Sequence, residues 1–321
     1  AAGEDCGGVH GANRLGGEVV VNEDVDFEVQ HGGKINLSGS KIKVDGKLTS
    51  HSGAINLVST GRTFIEGTTT MPDSQTPLSR GDINIGSKAV LDTSGLWIND
   101  TGKDSNQIFG AAYSNGGSVS LVTQQNAINK NGVATDTTGS INLSQGSVID
   151  VSSGGYVANT AKVNQKNLVP IGKSGDVSLE TYVPAQLPFG GDGAPPLPSD
   201  DPVSGARLNL AGTIKALGFS GGGKLSLRTL GLQIGGSASE DRPWTMVLAE
   251  NYFDNMGFGH IYLQAEYDAK IAEFTTLKPR QLSYVTDQAW RLSDLPSFSN
   301  LLDIAKQQDY LKVGQWDDSR R

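Results

Sequence analysis

The sequence predicts an all-β chain wound as a parallel β-helix, a solenoid of stacked strands with long loop insertions and a C-terminal cap region. Two observations carry that expectation. The first is a phrase that returns along the chain: Gly, any residue, Ile or Val, a small polar residue, Leu, with Gly139-Ser140-Ile141-Asn142-Leu143 as its cleanest copy. Further copies start at Gly33, Gly53, Gly81, Gly117, Gly175, Gly223 and Gly259, and a ninth, Ala206-Arg207-Leu208-Asn209-Leu210, has its glycine one step back at Gly205. Apolar–polar alternation marks a strand with one buried face. The leading glycine marks a turn that needs either a positive φ or a close backbone approach. The second observation is spacing. From Gly33 to Gly53 the chain fits three short strands and three turns, Lys34–Leu37, Lys41–Val44 and Lys47–Thr49, into one unit. A short strand-and-turn repeat of this kind is a solenoid signature, whereas helical repeats run to about 33 residues or more.

Composition agrees. The 321 residues include 42 glycines, only 7% aromatics and 19% charged residues, which fits many turns around a thin core. By length the chain could hold two globular domains, but the repeat argues for one elongated unit. The net charge of −8 comes without a basic run or Arg/aromatic interleaving, so nucleic acid is not an expected partner. An acidic surface fits anionic lipid poorly, and no apolar stretch of about 18 residues predicts membrane insertion. The single cysteine, Cys6, excludes an internal disulfide and a Cys-based metal centre. The chain starts at Ala with no visible signal peptide, which reads as a mature or excised piece of something longer.

Taken in order, residues 1–30 form lead-in rungs, with strand-like runs at Glu18–Val21 and Val25–Val29. Residues 31–265 form the coil, interrupted by insertions at 68–80, 97–115, 159–174 and 182–204, the last holding six of the twelve prolines. Solenoids tolerate such insertions because each lengthens a turn without disturbing the stack. Leu91-Asp92-Thr93, Ile149-Asp150-Val151 and Ile214-Lys215-Ala216 follow copies of the phrase and read as a second face, with Ile42-Lys43-Val44 in the same slot. Counting one phrase per rung gives roughly ten rungs and a rod near 50 Å long. Residues 266–321 lose glycine and gain charge, and are expected to be a cap or junction, partly helical, with Ser299 capping a short helix to Lys306.

The stretch Gly139 to Gly155, Gly-x-Ile-Asn-Leu followed by Gly-Ser-x-Ile-Asp-Val-Ser-Ser-Gly-Gly, resembles the filamentous haemagglutinin type of bacterial exoprotein, the two-partner-secretion adhesins. The likeness extends over about residues 30–265 as a degenerate repeat. It implies a right-handed coil and a secreted or surface-attached adhesin of a Gram-negative bacterium. It also implies export of the parent chain through an outer-membrane transporter, and a role in adhesion, biofilm or fibre-like surface assembly. Asn-Pro-Asn motifs of the family's secretion domain do not occur here, so the resemblance implies an internal or C-terminal segment. Host-cell, matrix or polysaccharide ligands are the expected partners, and no cofactor is implied.

Candidate contact residues follow from exposure. The outward positions of the phrase would stack as one polar column, Asn36, Asn56, Asn84, Ser120, Asn142 and onward. Such a strip could hydrogen-bond a polysaccharide, or its side chains could bond one another up the ladder, which is what a half-exposed sheet ordinarily needs. The insertions carry Trp97, Phe109, Tyr113, Tyr182 and Phe189, whose amphipathic rings suit either a ligand face or packing back onto the rod. His31 and His51 lie one unit apart and should stack. Two imidazoles could hold a transition metal, but with Ser79 in the next slot the ligand set is incomplete. Arg80-Gly81-Asp82 spells an integrin-type tripeptide, yet sits at a strand entry rather than a loop tip. Enzymes on β-helices use clustered carboxylates. Asp92 and Asp150, expected about two rungs or roughly 10 Å apart, are too far apart for a retaining glycosidase pair and marginal for an inverting one, so a lyase or hydrolase is one alternative reading, and a structural subunit of a larger surface assembly is another.

Overall fold

The computed structural model describes residues 17–61, 80–100, 102–130, 133–159, 172–184, 205–238, 242, 244–254, 256–278, 281–286 and 311–315. Among these the chain is all-β, and most strands pair in parallel. It passes five times through three sheets in the same order. The first pass is β1 (Glu18–Val21), β2 (Asp26–Glu28) and β3 (Lys34–Gly39); the second is β4 (Lys41–Val44), β5 (Lys47–Thr49) and β6 (Ala54–Ser59). The third has β7 (Ile83–Ile85), β8 (Val90–Asp92), an extra β9 (Trp97–Asn99) and β10 (Ser118–Gln124). An antiparallel hairpin, β11 (Ala127–Lys130) and β12 (Val133–Asp136), precedes the fourth. That pass is β13 (Ile141–Leu143), β14 (Val148–Asp150), β15 (Gly155–Val157) and β16 (Asp176–Val183). The fifth is β17 (Leu208–Leu210), β18 (Thr213–Lys215) and β19 (Lys224–Ile234), followed by β20 (Thr245–Leu248) and β21 (His260–Ile271) against β19. A last antiparallel pair joins β22 (Leu282–Thr286) to β23 (Leu311–Gln315).

Sheet I is β1-β4-β7-β13-β17 and sheet II is β2-β5-β8-β14-β18. Sheet III runs β3-β6-β10-β16-β19, with β21 on the far edge of β19 and β20 on the edge that β19 shares with β16. This arrangement is compatible with a β-helix or solenoid. Registration puts like on like. In sheet III, Ile35, Ile55, Val119, Val177 and Leu225 form one column, and in sheet II Leu48, Leu91, Ile149 and Ile214 form another. All of these side chains join a single buried cluster. Burying each aliphatic chain contributes about 1.5–3 kcal/mol, so these columns outweigh exposed ion pairs such as Lys43–Asp45.

The structure also explains the repeated glycine. Of the two reasons the sequence allows, close approach is the one that operates at the phrase. A Cβ on Gly175 would lie 1.6 Å from the Gly117 carbonyl oxygen, and one on Gly139 would lie 1.8 Å from that of Gly81. Successive passes therefore touch backbone to backbone where each sheet begins.

Three expectations are corrected. The nine copies do not share one sheet. Those beginning at Gly33, Gly53, Gly117, Gly175, Gly223 and Gly259 enter sheet III, while those at Gly81, Gly139 and Gly205 enter sheet I. Both sheets are half-buried and parallel and are entered through the same glycine contact, so they demand the same residues. The roughly ten rungs thus become five passes plus β21, and six levels of sheet III span about 24 Å at the usual strand spacing. Likewise Ile42-Lys43-Val44 lies in sheet I, and Leu48 is the residue that aligns with Leu91. Third, 97–115 is only partly loop, since Trp97–Asn99 forms β9 and pairs with β15. The helix expected at Ser299–Lys306 lies outside the described residues, as do most of 68–80, 159–174 and 182–204.

Gly175→Ala should lower stability by about 3 kcal/mol or more, because the Gly116–Gly117 backbone of the pass beside it must move. Gly259→Ala, where a Cβ would meet its nearest atom at 3.1 Å, should cost under about 1 kcal/mol. Urea unfolding midpoints of the two variants test the ordering, and equal losses would refute the close-approach account.

Candidate functional site

The described insertion with the most side-chain structure follows β9. Asp100 is fully buried and collects the loop around itself. Its Oδ1 accepts from Lys103 Nζ at 2.8 Å and from the Phe109 amide at 3.1 Å, and its Oδ2 accepts from the Gly110 amide at 2.8 Å. A buried carboxylate is costly unless its lone pairs are filled. Filling them requires the chain to double back from 103 to 109–110. Burial would raise the Asp100 carboxyl, but the Lys103 ammonium and the two amides outweigh it and hold it below its ordinary value of 3.8. Tyr156 on β15 hydrogen-bonds the same carboxylate, and its phenol is pushed up by burial first and then by that negative charge. The loop's return is pinned too, as Ser52 Oγ lies 2.6 and 2.7 Å from the Tyr113 and Asn115 carbonyl oxygens, which share its one proton.

What the loop presents is apolar. Ile108 is 38% exposed and Phe109 46% exposed. Phe109 packs beside Tyr113, with centroids 5.9 Å apart, and both lie against His31 at 6.1 and 6.0 Å. His31 stands 6.1 Å from His51, as their spacing predicts. The next slot, however, is taken by Ser94 and not Ser79, because the Gly81 copy belongs to sheet I. His51 Nδ1 donates to the Ser94 carbonyl at 3.0 Å.

The remaining candidates divide. Trp97 is not on the loop's outer face: it packs edge-on to Phe219 at 5.7 Å and Tyr284 at 5.9 Å, fastening β22 to the stack. Tyr284 is pushed up to about 12 by burial and then by the Asp150 charge. Tyr182, expected at a contact surface, is 1% exposed, with φ at 58°. Its hydroxyl donates to Asp136 Oδ2 at 2.9 Å and accepts from the Ala206 amide at 2.8 Å. Burial and then the Asp136 charge push its phenol well up. Tyr182 is therefore an internal tie across the mouth of the proline-rich insertion. Phe189 lies outside the described residues.

The polar column is two ladders. Asn56 Nδ2 donates to Asn36 Oδ1 at 2.7 Å on sheet III. On sheet I, Asn142 donates to Asn84 at 2.8 Å and Asn209 to Asn142 at 2.5 Å. These amides bond to one another, which is the structural use the sequence allowed for them. Arg80-Gly81-Asp82 is internal as well: Arg80 donates to the Thr138 carbonyl at 2.7 Å and Asp82 Oδ1 accepts from the Ser140 amide at 2.7 Å.

One spacing is overturned. Asp92 and Asp150 are register partners on the adjacent strands β8 and β14, with Lys215 next in line. They are about 5 Å apart by strand spacing, not 10 Å. Each has a local duty: Asp92 Oδ1 accepts from the Ser94 amide and hydroxyl at 2.9 and 2.6 Å, and Asp150 Oδ1 from the Ser152 amide at 2.9 Å.

Sequence reasoning passed over Asp100, Asp136 and Ser94. The available signal for Asp100 was a single carboxylate opening an Asp-Thr-Gly turn just after a strand. Asp100→Ala should release the 103–110 loop, with a local loss of roughly 2–4 kcal/mol from the lost Asp100–Lys103 ion pair and two unpaired amides. Because the folded carboxyl is depressed, its contribution is in force above about pH 4 and lost as pH falls through the folded value. Protection factors of the Phe109 and Gly110 amides, each referred to the intrinsic exchange rate at its pH, should thus fall in the variant at pH 7, and in the wild type as pH drops below the folded value. Unchanged protection in the variant would contradict the anchoring role.

No family model matches the chain, and no curated protein or solved structure matches it at a significant level.

Proposed function

We propose that the chain is a structural and adhesive segment of a secreted or surface-attached bacterial exoprotein, coiled as a right-handed parallel β-helix. It would act passively, by holding loops at fixed spacing for attachment to cells, matrix or glycans. The observation that carries this reading is where the insertions fall. Connections from sheet I to sheet II are always tight, at 22–25, 45–46, 86–89, 144–147 and 211–212. Every long excursion leaves at the other two corners, after sheet II or after sheet III. A coil that concentrates its loops along two edges offers rows of weak contacts, and such contacts add through multivalency. The handedness, the surface location on a Gram-negative cell, export of a parent chain through an outer-membrane transporter and a fibre-like surface assembly rest on the haemagglutinin-type repeat at Gly139–Gly155.

The contact residues in this reading are Ile108 and Phe109, apolar groups held outward on an anchored loop; loops on a rigid scaffold are where binding concentrates. Adhesion of the purified chain to cultured epithelial cells, fibronectin-coated plates and a glycan array is the first measurement. Replacing both Ile108 and Phe109 by Ala should cut binding to whichever surface responds by about tenfold, the size of a modest hot spot. Wild-type protein that binds none of them would sink the proposal, and so would a double variant that binds as well as the wild type.

A second reading has one observation in its favour. Asp92 and Asp150 are register partners on adjacent strands, which puts their backbones about 5 Å apart, within reach of the carboxyl separation that a retaining pair uses. Incubation with bacterial and plant polysaccharides should give no new reducing ends or unsaturated products if the chain is an adhesin. Turnover that disappears in Asp150→Asn would establish the enzyme instead.

A further inference from the structure

The geometry points to a binding site for a divalent first-row transition-metal ion at His31 and His51, beneath the 100–115 loop, with Cu2+ the tightest ligand. This does not depend on the adhesive reading. Three observations carry it. First, the two histidines occupy equivalent turns of consecutive passes, joined by the Gly32 amide donating to the His51 carbonyl at 2.8 Å. That bond sets the spacing of the two backbones, so the rings start from adjacent levels of the stack. Second, His51 is oriented as a metal-ligating histidine is. Its Nδ1 proton goes to the Ser94 carbonyl at 3.0 Å, which leaves Nε2 with its lone pair. Metal-bound imidazoles almost always give their other ring N–H to such a partner. Ser94 is itself fixed, its hydroxyl donating to Asp92 at 2.6 Å. Third, His31 Nδ1 is buried with no hydrogen-bond partner. A buried polar atom left unpaired is costly, and an ion bound there satisfies it.

The distance is compatible. With a metal–nitrogen bond of about 2.0–2.1 Å, two imidazoles on one ion have ring centroids at most about 6.2 Å apart, and about 4.5–5 Å at right-angled or tetrahedral geometry. The observed 6.1 Å therefore needs the rings to close by about 1–1.5 Å. Among the described residues no group of three His, Cys, Asp or Glu assembles, so the protein supplies two nitrogen donors and water completes the sphere. Imidazole donors suit Cu2+, Ni2+ and Zn2+, with Cu2+ favoured by the general affinity order. Phe109 and Tyr113 wall His31, so an ion held here stiffens the base of the loop.

The test uses the whole chain, stripped with EDTA and titrated with CuCl2, NiCl2 and ZnCl2. One equivalent of Cu2+ should bind, with an electron paramagnetic resonance spectrum showing nitrogen ligation, and Cu2+ should bind more tightly than Ni2+ or Zn2+. His31→Ala and His51→Gln should each weaken Cu2+ binding by tenfold or more, while His260→Ala, on β21, should leave it unchanged. Circular dichroism of each variant checks that it folds, and Cu2+ should raise the melting temperature of the wild type but not of His31→Ala. The proposal is overturned if no stoichiometric binding occurs. It is equally overturned if folded His31→Ala/His51→Gln protein binds Cu2+ like the wild type, because the ion would then sit elsewhere.

Discussion

Everything in this molecule depends on how closely one pass of backbone lies on the next. At Gly175 and Gly139 a single added carbon would overlap a carbonyl oxygen of the pass beside it. That contact fixes where β13 and β16 begin, and hence the register that puts Ile141 over Ile83 and Leu179 over Leu121. A slip of one residue would turn every inward side chain outward. The glycines therefore do more than permit a turn: they let the aliphatic columns form one continuous core. The hydrophobic effect supplies the stabilisation, and the glycine contacts select the single alignment in which it is collected.

A stack built this way must still let the chain leave and return, and buried charge handles those exits. Asp100 gathers a lysine, two amides and a phenol where the chain leaves β9. Asp136 does similar work after the β11–β12 hairpin, accepting from Tyr182, with Arg80 at 3.7 Å. In both places a carboxylate sits at the stack's edge with its oxygens occupied, so its desolvation cost is offset by bonds that only one loop path can make. Mutual bonding of the asparagine ladders follows the same logic on the outer faces, where a short amide finds its partner one strand away.

This division explains what could be read from the sequence. The phrase disclosed the strand, its buried face and the glycine. Alignment of His31 over His51 was legible as well, since both sit at the same offset before a copy that enters the same sheet. The sequence could not say which sheet a copy belonged to, because sheets I and III ask for the same residues. That ambiguity doubled the apparent number of passes and displaced Asp92 from Asp150. Tyr182 misled for a different reason. Its place beside a proline-rich stretch suggests exposure, but its burial depends on Asp136 and Ala206, 46 and 24 residues away. Partners so remote in sequence leave no local pattern.

The two ends of the stack show the same constraint from the other side. Beyond β18, Gly257 passes so near Ala216 that a Cβ would lie 2.1 Å from its carbonyl oxygen. Leu282 and Tyr284 donate their amides to the Met256 and Gly218 carbonyls at 3.1 and 3.0 Å. Phe253 and Phe258 there are buried in the same core as the aliphatic columns. Bulky rings thus close the end where the alternation stops, replacing a further layer of Ile and Leu. At the opposite end Phe27 occupies the column of Leu48 and Leu91 yet is 46% exposed. The same inward position is buried or bare according to whether another layer covers it. Core and surface in this fold are therefore properties of a residue's level in the stack as much as of its side chain.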